Sequence, residues 1–473
     1  MNAAATGLFH ALGAYQGPVA EPWVRLSDQL RAYQDTAFGR AHDFAGIRSE
    51  ADFRERVPVM DGDDYAPWIA RAAAGEAGVL ACGRLLGFER TSGSGSAAKW
   101  IPITDGLRTE FARGLAGWLH GLRRRAPEVF HGRAYWALSP PGMMPETSAG
   151  GLPVGMTSDA AYFPESVGQG LAEWLAIPPL SGAAGAAFEE TAEFLLGVPD
   201  LGFISVWSPT FLLALDRALR DLRPGFCWRG QWPGLRMVSC WADASSTAWM
   251  PELQARLGTI PIEPKGLLAT EGITSIPDEI DATPKLASGC HYHEFLDASG
   301  AVVPPALLRE GAVYQVLLTT AGGLYRYRTG DQVVVTAPGE GRPGLRFVGR
   351  VGAVSDLVGE KLSESGVVAA LVAARARGFL QADAGAPGYV LWLEDVSGAD
   401  AVVGGLRKNP YFDQALALRQ LAPVVIRRLP DRWHERLAVA LVERQGCRLG
   451  DVKIPALISH QPPTVEEVAS WLG

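Results

Sequence analysis

Apolar positions recur at three- and four-residue spacing in Trp23, Leu26, Leu30 and Tyr33, which predicts a helix with one buried face in an otherwise helix-and-loop region up to about residue 80. A second stripe, Leu107, Phe111, Leu115, Leu119 and Leu122, begins just after Thr104-Asp105, a polar pair suited to capping a helix N-terminus. Arg123-Arg124-Arg125 closes that helix, where cations complement the negative end of the dipole. From about 130 to 330 the pattern shortens. Ala134 to Leu138, Phe203 to Trp207 and Val313 to Thr319 read as strands, and Phe211 to Leu222 reads as a helix. The turn cluster GEGRPG, Gly339 to Gly344, leads into a strand from Leu345 to Val348. Beyond it, helices (Ser363 to Arg377, Tyr411 to Leu421, Thr464 to Leu472) alternate with strands (Tyr389 to Leu393, Val424 to Leu429). The class expected is α/β. A boundary near the glycine-bracketed segment Gly349 to Gly352 divides a large domain, 1–349, from a smaller α/β domain, 350–473.

Composition narrows the function classes. Of 473 residues, 48% are hydrophobic and 20% charged, values that favour collapse over disorder. The 55 glycines and 33 prolines demand many turns, which suits a mixed fold better than a helical bundle. A net charge of −8 offers no basic field for nucleic acid or an anionic membrane. The five cysteines are odd in number and form no CxxC pair, so neither a disulfide framework nor a zinc cage is expected, and a reducing cytoplasm fits. The N-terminal MNAAATGLFHALGAYQG lacks a basic n-region and a sustained apolar core, so no signal peptide is expected. Uncharged stretches such as Leu201 to Leu215, interrupted by Pro209, fall short of the roughly 18 to 20 apolar residues of a membrane helix.

Four clusters could carry chemistry. Thr91 to Lys99, TSGSGSAAK, offers small residues, hydroxyls and a lysine around which backbone N–H groups could wrap a polyphosphate; it is neither a Walker A loop nor a dinucleotide fingerprint, and a surface loop is the alternative. Leu267 to Gly272, LLATEG, ends an apolar run with a hydroxyl and a carboxylate that could ligate a nucleotide-borne Mg²⁺. Gly323 to Asp331, GLYRYRTGD, sets an aspartate just past a turning glycine, where it could accept hydrogen bonds from a ribose; a solvated hairpin reads equally from the pattern. Gly450 to Pro455, GDVKIP, holds a lysine between apolar residues. His291 and His293 share one face of a strand and could make two metal ligands, though a hydrogen-bonded pair beside the strand is the expectation. Of Trp207, Trp228, Trp232 and Trp241, core packing is expected to absorb all but Trp207, a candidate wall for an apolar or aromatic acid.

In order and spacing, TSGSGSAAKWIP (91–102), ATEG (269–272), YRYRTGD (325–331) and KIP (453–455) resemble the Gretchen Hagen 3 (auxin-responsive) family of acyl-acid amido synthetases, a branch of the acyl-adenylate-forming enzymes. The likeness extends over roughly residues 50 to 460 and includes FVGRVGAVSDLVGEKLSE (347–364) and NPYFDQALALRQLAP (409–423). The resemblance implies a large adenylate-forming domain of mixed sheets with a small β-barrel-like part, and a smaller mobile domain that carries a late lysine. It implies ATP and Mg²⁺ as cofactors, with a small carboxylic acid and an amine or amino acid as substrates. Thr91, Ser92, Gly93 and Ser94 would hold the phosphates, aided by Lys99, and Glu271 would bind the metal beside Thr270 at the α-phosphate. Tyr327 and Asp331 would hold adenine and ribose, with Arg350 at the hinge. Lys453 would stabilise the charge that develops as adenylate forms, and Trp207 would line the acid site. Transfer to a thiol of coenzyme A or a carrier protein, and nucleotide binding without turnover, are the rival readings.

Overall fold

The apolar stripes build the helices the pattern predicts. In the computed structural model, described over residues 1–17, 21–90, 99–136, 146–156, 159–179, 186–339, 341–351, 354–383, 387–445, 449–459 and 462–473, Leu26, Leu30 and Tyr33 are the buried positions of the helix Pro22–Tyr33. They pack with Phe38, Phe44, Tyr65 and Tyr325 in one apolar cluster. In the helix Asp105–Arg125, Thr104 Oγ1 accepts the Leu107 N–H at 3.1 Å, and Leu107, Phe111, Leu115, Leu119 and Leu122 are all buried. The terminal arginines are all engaged: Arg123 lies 4.5 Å over the Phe9 ring, Arg124 pairs with Glu279 and Arg125 with Glu263.

Four parallel strands, Arg133–Trp136, Leu201–Ser205, Met237–Cys240 and Ile262–Pro264, pair in that order. The helix Pro209–Leu222 follows the second strand, capped by Ser208 with Pro209 in its first turn; the Val206 N–H still donates to the Ser239 carbonyl at 2.9 Å and the Trp207 carbonyl accepts the Trp241 N–H at 2.9 Å, so backbone pairing runs on to Trp207. A seven-stranded antiparallel sheet runs in the order Ser275–Pro277, Pro284–Leu286, Gly344–Arg350, Tyr327–Ala337, Val313–Thr319, Tyr292–Leu296, Val302–Val303. The barrel-like part expected here is this open sheet: among the described residues its short end strands pair with no partner that would close it. A further sheet pairs Leu85–Arg90 with Trp100–Thr104 in antiparallel register, Arg90 opposite Trp100.

Past residue 350 a four-stranded sheet is ordered Val425–Arg428, Tyr389–Leu393, Gly378–Ala382, Leu457–Ile458. Ser363 caps the helix Glu364–Ala373, which stops short of Arg377 because Arg375 adopts a left-handed backbone (φ 52°) before the strand Gly378–Ala382. The helices Ala399–Leu406 and Trp433–Gln445 are additional to the pattern-based expectation. One apolar cluster joins Leu212, Trp249 and Leu253 of the large region to Phe379, Trp392, Trp433, Val452 and Ile454 of the C-terminal region. The rings of Trp249 and Trp433 are 5.6 Å apart at this seam, and Arg377 reaches Glu252 across it. Among the described residues no helix is long and apolar enough to cross a membrane.

Candidate active site

Ala269 pairs with Gly272 between the strands Leu268–Ala269 and Gly272–Ile273, so Thr270 and Glu271 form the tip of a two-residue hairpin. The hairpin rests on His291. A Cβ built at Gly272 would stand 2.9 Å from His291 Nε2 and 3.1 Å from Leu318 Cδ1, so only glycine lets the strand approach this closely. His291 is itself held, with Nδ1 2.9 Å from Glu110 Oε2, an oxygen that also accepts the Ala321 N–H at 2.8 Å. Its neighbour His293 donates from Nε2 to the Ile273 carbonyl at 3.1 Å, and burial holds its pKa down at about 3. The two histidines are therefore props of the hairpin. Gly272→Ala is expected to lower the thermal midpoint, a cost of about 1–3 kcal/mol, and to reduce activity together by displacing Glu271; differential scanning calorimetry beside an activity assay checks both.

The segment YRYRTGD divides its work. Tyr325 is fully buried, with its hydroxyl bonded to the Leu80 carbonyl at 2.9 Å. Arg326 adopts φ 46° and donates to Glu294 Oε2 at 2.9 Å and to the Val57 carbonyl at 2.7 Å, so both residues are structural. Arg328 pairs with Asp61 at 3.1 Å. Tyr327 packs edge-on against Tyr65, 5.6 Å between ring centres, and burial first, then the Glu271 charge, push its phenol up. Asp331 stands opposite Arg350 in the ladder, and Arg350 Nε donates to Asp331 Oδ1 at 2.7 Å. That carboxylate holds the Arg350 pKa above its ordinary value.

Lys453 arrives from the C-terminal region between Val452 and Ile454, both buried in the shared apolar cluster. Its ammonium lies 4.2 Å from the Trp241 ring centre and 5.1 Å from that of Phe347. Burial of the ammonium and the nearby Arg350 charge lower its pKa to about 8, against the pull of Asp331, Glu364 and Glu271, although the residue as a whole is exposed. Glu271 is 5% exposed, and burial raises its pKa, with Arg350 and Lys453 opposing and Asp331 assisting. Glu271, Asp331, Arg350 and Lys453 thus form one charge cluster, with Tyr327 at its edge and Thr270 beside Glu271.

The Lys99 ammonium pairs with Asp63 at 3.5 Å, and its stem packs against Gly62 at the start of the helix Gly62–Ala73. Thr91, Ser92, Gly93 and Ser94 lie outside the described residues. The half-buried Trp207 packs 5.4 Å from Trp241 and so adjoins the cluster. Trp228 and Trp232 are core residues, as expected. Phe347, Glu364 and the wall made by Trp241 escaped the sequence reading. The first two lie in the segment 347–364, whose similarity to the family is the only signal that pointed there.

No three His, Cys, Asp or Glu side chains gather as a metal cage among the described residues. A Mg²⁺ carried on nucleotide phosphates needs only one or two protein carboxylates, and the Glu271 carboxylate, buried at the hairpin tip, fits that requirement.

Comparison with known proteins shows the family of the chain and the fold it shares. Residues 24–196 match the family model described as the GH3 family N-terminal domain and residues 285–350 the GH3 family central domain, together just over half of the chain. A protein of Oryza sativa subsp. japonica named as an indole-3-acetic acid-amido synthetase, GH3.10, is 25% identical over 368 residues, 68% of this chain and 76% of its own. Indole-3-acetic acid-amido synthetase GH3.4 of Arabidopsis thaliana is 26% identical over 176 residues, 32% of this chain and 29% of its own. The structure of GH3.15 acyl acid amido synthetase in complex with 2,4-DB superposes with a TM-score of 0.83 at 17% identity, covering 99% of this chain and 95% of the other. A 2-hydroxyisobutyryl-CoA ligase shares the fold at a TM-score of 0.56 and 15% identity, covering 95% and 90%.

Proposed function

Because the chain belongs to the GH3 family, we propose that it uses ATP to activate a small carboxylic acid and passes the acyl group to an amine, such as an amino acid, to form an amide. A carboxylate is a poor electrophile and its oxygen a poor leaving group. In the first step its oxygen attacks the α-phosphorus, the bond to pyrophosphate breaks, and an acyl-adenylate remains. In the second the amine attacks the acyl carbon, and AMP leaves with the electron pair while the amine's proton passes to solvent or base. Little covalent help from the protein is needed, but much alignment and charge neutralisation.

The observation that supports this reading best is the meeting of Lys453, from the C-terminal region, with Glu271, Asp331 and Arg350 from the large one. In this reading Arg350 orients the Asp331 carboxylate toward a ribose, and Tyr327 flanks the adenine. Glu271 would hold a Mg²⁺ carried on the nucleotide, whose chemistry would be to offset phosphate charge, and Thr270 would contact the α-phosphate. Thr91, Ser92, Gly93 and Ser94 cradle the phosphates, with Lys99 as an added charge. Lys453 stabilises the negative charge that grows on the bridging oxygen. Trp207 lines the acid. Residues 1–349 bind both substrates, while 350–473 closes to shield the adenylate and opens for the acceptor. The work belongs in the cytoplasm, where ATP is at hand.

A panel of carboxylic acids screened by pyrophosphate release, with products identified by mass spectrometry in the presence of both amines and coenzyme A, tests the reading. Acid-dependent release with amide products is expected; exclusive thioester formation overturns amine transfer, and no release with any acid overturns activation. The lysine adds a pH signature. If its positive charge is what counts, adenylation falls as pH rises through about 8 and the ammonium deprotonates, and Lys453→Arg shifts that alkaline limb upward; pH profiles of pyrophosphate release measure it.

A further inference from the structure

Lys453 stands three residues before an anchored alanine. Leu457–Ile458 adds to the C-terminal sheet beside Gly378–Ala382, and the Leu380 N–H donates to the Ala456 carbonyl at 2.8 Å. The Ala456 N–H turns the other way and donates to Glu364 Oε1 at 2.9 Å. Between the lysine and the alanine, Pro455 offers no N–H, fixes its own φ and restricts Ile454 to extended backbone. The KIP segment is therefore a stiff link, and whatever fixes Ala456 aims Lys453.

Glu364 reaches that alanine from the first turn of the helix Glu364–Ala373, directly after the cap Ser363. A carboxylate in a first turn complements the helix dipole whichever way it points. This one is half-buried and turned onto the lysine loop, where burial raises its pKa and the Ala456 N–H, Lys453 and Arg350 pull it back. Three carboxylates bear on the Lys453 ammonium against the Arg350 charge: Asp331, Glu364 and Glu271. They are not equivalent. Asp331 accepts from Arg350 at 2.7 Å, and Glu271 sits on the hairpin tip of the large region. Of the three, Glu364 belongs to the C-terminal region, as Lys453 does, so a movement of that region carries the two together.

Resting on the role given to Lys453 in the reading above, we infer that Glu364 is a positioning residue for that lysine: it fixes the KIP segment through the Ala456 N–H and supplies the counter-charge that accompanies the ammonium when the C-terminal region moves. It acts through Lys453 and touches no reacting atom. Asp331 and Glu271 hold the lysine's charge while the two regions are together, and Glu364 holds it in every arrangement.

The test follows wild type, Glu364→Gln and Glu364→Ala by two readouts. One is the pH profile of pyrophosphate release with the panel of acids above. The other is the pH profile of Lys453 acetylation by trace acetic anhydride, read on the Lys453 peptide by mass spectrometry, which needs neither acid substrate nor ATP. Glutamine keeps an oxygen for the Ala456 N–H and removes the charge. Without that charge the ammonium gives up its proton more readily, so the acetylation midpoint and the alkaline limb of release are both expected to fall by about one pH unit. Alanine removes the oxygen as well and is expected to lose a further factor of about 100 in kcat, the scale of a misplaced group, which glutamine largely restores. A helix-end charge with no bearing on the lysine would lower the thermal midpoint in both variants and leave the acetylation midpoint where it was. That result overturns the inference, as does a Glu364→Ala enzyme with the kcat of Glu364→Gln. Should one variant fail to fold, the other decides by its acetylation midpoint. A moved acetylation midpoint with no pyrophosphate release from any acid sinks the ligase reading and leaves the link between the two residues standing. Release with an unmoved midpoint does the reverse.

Discussion

Lys453→Ala is expected to lower acid-dependent pyrophosphate release by about 10²–10³-fold, the usual loss when one donor to a developing oxyanion is removed. The fold should survive. The anchoring of this loop comes from Val452 and Ile454 in the apolar cluster, whereas the lysine contributes only its stacking over Trp241 and Phe347. Such a cation–π contact at a partly solvated site is worth about 0.5–1 kcal/mol, so the thermal midpoint should move little. The split between the two measurements is the diagnostic: a lysine of merely structural role would lose stability and rate in proportion. Unchanged turnover in the variant removes Lys453 from the reaction.

Glu271→Gln should also cost about 10²–10³-fold in kcat/KM, with the opposite effect on stability. Burial raises the pKa of this carboxyl, so the folded state disfavours its ionised form. For a group with a raised folded pKa, the stability it contributes is present at low pH and is lost as pH rises through that value. The neutral amide avoids that loss. Glu271→Gln is therefore expected to be as stable as wild type in acid and more stable at neutral pH, while the Mg²⁺ concentration needed for half-maximal activity rises. Thermal melts across pH and a metal titration measure both, and an unaltered Mg²⁺ dependence rules out the proposed metal contact. A site that lowers stability for the sake of a charge is what function requires of a buried carboxylate.

Much of this was legible because the motif clusters lie at turns and strand ends, where local sequence dictates local geometry. The ATEG turn forms the hairpin tip, and the aspartate beyond Gly330 meets Arg350 by strand register. What the pattern could not separate is which members of YRYRTGD face the cluster. Tyr325 and Arg326 are as polar as their neighbours, yet tertiary packing against Leu80, Val57 and Glu294 turns them into scaffold. The C-terminal region was the least readable. The helix Trp433–Gln445 is held by Trp249 across the seam and by Phe379 of its own region, and no periodicity within it announces partners on other elements. The strand Gly378–Ala382 is likewise fixed by its neighbours on either side.

That seam governs timing as well as cohesion. Lys453 sits between two residues embedded in the same apolar mass as Trp249 and Leu253, so its head cannot retreat from the reacting atoms by itself. Withdrawal must either carry the neighbouring sheet along or peel Val452 and Ile454 out of their seats. Substitutions at Trp249 or Trp433, neither of them among the groups assigned to substrate, would thus behave like a change of spring in a latch: they alter how long the lysine stays, and leave untouched what it does while there.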